Sequence, residues 1–186
     1  MLCKQDFWRN GNGWKRLETV FQLKKQQLKL VVSGPSPQIK QNATLQMPKL
    51  ELELELHRLT CIHEAAHAVL FYHMGFHVLA ASVLMPGDRI RDHLGSINYL
   101  LENSDDQLAT ERLVIGLSAG YVAEMLYNGI GRFEGEDVII KTKSYLQMPR
   151  IANAVEVLAN LLHQSGEVDN RQIVELINRL GVPVLY

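Results

Sequence analysis

Residues 49–74 limit the fold more than any other stretch. They contain no proline or glycine, and Pro48 and Gly75 bound them. Leu59, Ile62, Ala66 and Val69 recur at helical spacing. The opening LELELELH (50–57) alternates as a strand would, yet it runs without a break into the helical pattern. The spacing therefore predicts one helix over about 49–74, started near Pro48 and ended by Gly75. A helix of about seven turns has to be covered by the rest of its domain. It is not a membrane span: the most apolar run, Ala66 to Met85, contains His67, His73, His77 and Gly75.

The segments around this helix read as follows. Residues 1–40 hold eight basic side chains (Lys4, Arg9, Lys15, Arg16, Lys24, Lys25, Lys29, Lys40) against Asp6 and Glu18. Residues 15–31 suggest a short surface helix, and 33–48, with three prolines, a linker. The expected division is thus a basic extension and linker over 1–48 and a folded domain over 49–186. Strands are expected at 77–86 and 95–101, and helices at 105–127, 136–147, 150–164 and 169–180. The fold class is α+β, mainly α-helical, with a small sheet and a C-terminal group of helices.

With a formal net charge of -1, the composition gives no global signal for nucleic acid or an acidic membrane. Cys3 and Cys61 are the two cysteines, form no CxxC pair, and fit a reducing, cytoplasmic setting. No apolar segment of signal-peptide type opens the chain.

His63-Glu64-Ala65-Ala66-His67 carries the chemistry. On a helix, His63 and His67 stand one turn apart on one face and can share a zinc ion. Glu64 beside them is placed to take a proton from a zinc-activated water and hand it to a leaving amine. With 7 histidines in 186 residues, the bare pattern is expected only about 0.02 times by chance. The motif therefore points to a zinc metallopeptidase acting on a peptide or unfolded protein.

Three residues compete to be the third ligand. His73 has the metzincin spacing, but Leu70 replaces the glycine that would let the chain leave the helix, and on an unbroken helix His73 lies about 80° from His63. Glu124 in AGYVAEML and Asp137 in GEDVIIKT are the others.

In order along the chain, HEAAH (63–67), ASVLMPGD (81–88), LGSINYL (94–100), GLSAGYVAEMLYNG (116–129) and GEDVIIKT (135–142) resemble the peptidase domain of the FtsH-type, or paraplegin-type, zinc proteases. That family has HEAGH, a "VSIVPRG"-like strand end, an "LGYT"-like strand, a "GGRAAEELVFG" helix and an "SNDLxxAT" segment. The resemblance covers about residues 50–147. It implies a zincin-like fold, Zn2+ held by His63, His67 and Asp137, and Glu64 as general base. Glu124 would then support the site from behind the ligands. The chain departs from the family at Ala66, at Glu136 in place of the asparagine, and at the missing arginine of "GGR". It has no GxxxxGK[ST] phosphate loop, so the expectation is a peptidase domain without its own ATPase, partnered by a separate ATPase chain or by copies of itself. A non-catalytic zinc-binding interaction or regulatory module with the same fold is the alternative. Cys61 reads as a buried free thiol, and His77 and His93 as ordinary strand or loop histidines.

Overall fold

The computed structural model describes residues 49–87, 94–100, 107–129 and 137–185. The chain divides between residues 45 and 46, and all of these lie in the second unit. The extension and linker, Cys3, His93 and the first turn expected at 105–106 fall outside the described residues.

Helix α1 is Lys49–His73. Its first turns stay helical although they alternate as a strand would: Glu and Leu are strong helix formers, and Glu51, Glu53, Leu54 and Glu55 are all exposed. The exit is a Schellman turn. Gly75 takes φ +87, its N–H bonds to the Tyr72 carbonyl, and the Phe76 N–H bonds to the Phe71 carbonyl.

From Gly75 the chain enters β1 (His77–Val83), which pairs antiparallel with β2 (Gly95–Leu100) in the register His77↔Leu100 to Val83↔Gly95, with a bulge between Val78 and Ala80. Helix α2 (Gln107–Tyr127) follows and lies along α1. Helix α3 (Asp137–Leu146) is tied to α2 by a 2.8 Å hydrogen bond between the hydroxyls of Ser118 and Thr142, the latter fully buried. Helix α4 (Pro149–Ser165) starts with proline at its first position and ends at Gly166, which is left-handed with φ 76. Helix α5 (Asn170–Arg179) opens with a capping box between Asp169 and Gln172.

One element was not expected. Glu167–Asp169 forms a short third strand, β3, which pairs antiparallel with β1 through Ala80↔Asp169, Ala81↔Val168 and Ser82↔Glu167. Three residues are too few to show a period of two, and the partner lies about ninety positions earlier in the chain. The sheet order is β2-β1-β3. The fold is mainly helical with a small antiparallel sheet, which agrees with the expected α+β class.

The core lies where α1 meets the other elements. Val69, Leu70 and Phe71 of α1, Val78 of β1, Val122 of α2, Leu158 and Leu162 of α4 and Ile173 and Ile177 of α5 are all below 2% exposed. Burying each of these large side chains contributes about 1.5–3 kcal/mol. Phe71 stacks on Tyr99 at 4.1 Å between ring centroids and meets Phe76 edge-on at 5.5 Å, which locks β2 against α1. Among the described residues no helix is long and apolar enough to cross a membrane.

Candidate metal centre

The two imidazoles of the HExxH motif converge. His63 Nε2 and His67 Nε2 are 3.0 Å apart. Two nitrogens on one tetrahedral zinc, each with a bond of about 2.0–2.1 Å, stand about 3.4 Å apart, so the pair is close to ligand spacing.

The other nitrogen of each ring fixes its tautomer. His67 Nδ1 lies 2.7 Å from the Gly116 carbonyl oxygen, which can only accept, so Nδ1 carries the proton. His63 Nδ1 donates to Glu124 Oε1 at 2.8 Å. His67 then has its lone pair on Nε2, aimed at Nε2 of His63, and two neutral rings would meet lone pair to lone pair. That arrangement is unfavourable unless a proton or a metal cation sits between them. Histidines that bind a metal commonly donate their far ring nitrogen to a carboxylate or a carbonyl, as both rings do here.

The surroundings set the charge on each group. Burial and, to a lesser degree, the neighbouring His63 push His67 down to about 3 against the opposing hydrogen bond to Gly116, so it is neutral at pH 7. For His63 burial is the largest single influence and works downward, but the hydrogen bond and charge of Glu124, together with the charge of Glu64, outweigh it and hold His63 above its ordinary value. Burial pushes the Glu64 carboxyl up to about 7; His63 opposes the rise and Glu124 adds to it. A carboxyl that titrates near neutrality suits a general base, and a cation beside it would draw its pKa down again. The side chains of His63 and Glu124 are each 31% exposed, so solvent reaches the pair.

Two glycines make room for the site. A Cβ on Gly120 of α2 would lie 2.5 Å from Nε2 and Cδ2 of His63. A Cβ on Gly95, the first residue of β2, would lie 2.6 Å from Cγ and Oε1 of Glu64. The histidine thus rests on bare helix backbone and the glutamate on bare strand backbone.

Among the described residues none of the other candidates closes a three-ligand group with this pair. Asp137 is the exposed first residue of α3 and does not close a three-ligand group with His63 and His67. Glu124 is committed to His63 Nδ1. His73 is buried, and its Nδ1 donates to the Pro183 carbonyl, which ties α1 to the C-terminal segment. His77 is exposed at the start of β1. Among the described residues the group whose ligand atoms gather within 4.8 Å is a different one: His57, Cys61 and His163. Sequence reasoning placed Cys61 as a buried thiol. The structure agrees that it is buried, and burial pushes its pKa up to about 12. His57, one turn before Cys61, was the signal available for this group; His163 lies 102 positions further on and left none.

No protein-family model matches this chain, and no curated protein matches its sequence.

Proposed function

We propose that this protein is a zinc-dependent metallopeptidase. The observation that carries the reading is the convergence of His63 Nε2 and His67 Nε2 to 3.0 Å, each ring oriented through its Nδ1, with the buried Glu64 between the two histidines in the chain. This donor set fits zinc. His63 and His67 would hold the ion, and Asp137 is proposed as the third ligand on the resemblance of GEDVIIKT to the family's segment. When bound, a zinc ion supplies Lewis-acid polarisation of a peptide carbonyl and makes water more acidic.

The chain's own groups supply the rest. Glu64 receives the proton of the attacking water on a carboxylate oxygen and passes it to the nitrogen of the departing amine. Glu124 holds the His63 ring and strengthens it as a donor. β2 is an edge strand of the sheet with Gly95 against Glu64. An extended peptide added to that edge would run past the carboxylate, held by main-chain hydrogen bonds that carry no sequence preference. This supports a peptide or unfolded-chain substrate.

The test compares wild type with Glu64→Gln for zinc content and for cleavage of a broad peptide library. The expected result is full zinc in both and cleavage by the wild type alone. A wild type that binds zinc fully and cleaves nothing would favour the non-catalytic module.

A further inference from the structure

α1 carries a second set of ligands on the side that faces α4. His57 and Cys61 are i and i+4 on α1, and His57 Nε2 stands 3.8 Å from Cys61 Sγ. His163, in the last turn of α4, brings its ring to 4.8 Å from that of His57, centroid to centroid. One ligand atom from each residue lies within 4.8 Å of the other two.

Hydrogen bonding alone leaves this group poorly satisfied. His57 is 6% exposed and its Nδ1 is buried without a hydrogen-bond partner. Its Nε2 has only the weakly polar sulfur. A buried imidazole normally has strong partners, and a metal on Nε2 would supply one that the sulfur does not, with Nδ1 left as it is. The distances suit a metal better. With zinc–sulfur and zinc–nitrogen bonds of about 2.3 and 2.0–2.1 Å, a tetrahedral site separates sulfur and nitrogen by about 3.6 Å. His163 is exposed, so solvent can complete the coordination. It also sits at the C-terminal end of α4, where the helix dipole favours a cation.

We propose that His57, Cys61 and His163 form a second metal site, which takes a zinc ion and clamps α1 to α4. A thiolate with two imidazoles is a soft to borderline set, which favours zinc over magnesium or calcium. On binding, the Cys61 thiol releases its proton to solvent and the sulfur forms the bond to the metal. The site does not depend on the HExxH pair, which faces α2 and contains no sulfur.

That difference supplies the test. The full metal-free chain is titrated with cobalt(II), which replaces zinc and shows a near-ultraviolet charge-transfer band only when a thiolate is bound. The wild type should develop the band. His163→Ala should weaken cobalt binding at this band by more than the roughly 10–100-fold expected of an outer partner. Cys61→Ser should abolish the band, while His67→Ala should keep it. His163 is on the surface, so its variant stays informative even if the buried Cys61→Ser fails to fold. Absence of the band in folded wild type at saturating cobalt overturns the proposal. So does a His163→Ala titration identical to wild type, or loss of the band in folded His67→Ala. A folded wild type that develops this band but cleaves no peptide would count against the peptidase reading alone.

Discussion

Replacing Gly120 by alanine tests whether the fold holds His63 where a metal needs it. The new Cβ would lie 2.5 Å from Nε2 and Cδ2 of His63 and 2.6 Å from Cε1. Carbon atoms rest at about 3.5–4.0 Å, so the ring must withdraw by roughly 1 Å. Glu124 holds the ring's other nitrogen at 2.8 Å, so withdrawal also strains that bond. Metal–ligand distances tolerate only about 0.2 Å. Gly120→Ala should therefore lower zinc affinity by more than the roughly 10–100-fold seen when an outer partner of a ligand is lost. The stability effect has an informative sign. Alanine in place of glycine inside an unhindered helix gains about 0.5–1 kcal/mol. Overpacking here costs about 1–3 kcal/mol, so the net change should be a loss of up to about 2.5 kcal/mol. Zinc retention against a chelator and urea unfolding of the metal-free chain measure the two effects. Unchanged zinc affinity together with a gain of about 1 kcal/mol would refute the packing of α1 on α2 as described.

Three further outcomes are expected. Gly95→Ala puts a Cβ 2.6 Å from Glu64 Oε1, so it should keep zinc bound while reducing kcat, read by metal analysis and peptide cleavage on the same preparation. Glu64 holds its proton up to about 7 in the fold but ionises near 4.5 when unfolded, so its ionisation removes stability as pH rises between those values. Glu64→Gln should thus stabilise the metal-free chain by about 1–3 kcal/mol above pH 7, and the gap should close toward pH 4.5; equal stability across that range in urea titrations would contradict it. Asp137→Ala should sharply reduce zinc retention, whereas His73→Ala should change it by at most roughly 10–100-fold; the reverse order would remove Asp137 from the ligand set.

The sequence was informative where patterns are local. The long helix, its stop at Gly75, both longer strands and the four later helices all follow from periodicity, caps and breakers within a few residues. The facing of His63 and His67 also follows, because one helical turn fixes it. What depends on distant pairing was less legible. β3 exists because Gly166 turns the chain onto β1, and nothing within Glu167–Asp169 announces it. The bond from Glu124 to His63 spans 61 positions; residue patterns alone left Glu124 among three ligand candidates, and only the resemblance gave it a supporting role behind them. His57 and His163 belong to helices that meet only in the folded chain, so a motif search along the sequence passes over them.

The two glycines that α2 turns toward α1 have a thermodynamic consequence. Gly120 lies under the His63 ring, Gly116 lies against Phe71 and its carbonyl meets His67, and a glycine has no rotamers to lose. The histidines therefore rest on a surface that cannot rearrange by side-chain rotation, and their own freedom is removed once, at folding. Capture of an ion by this pair should then carry little ordering entropy. Its heat of binding should change little with additives that alter chain flexibility, as for a ligand entering a preformed cleft rather than one that must first organise it.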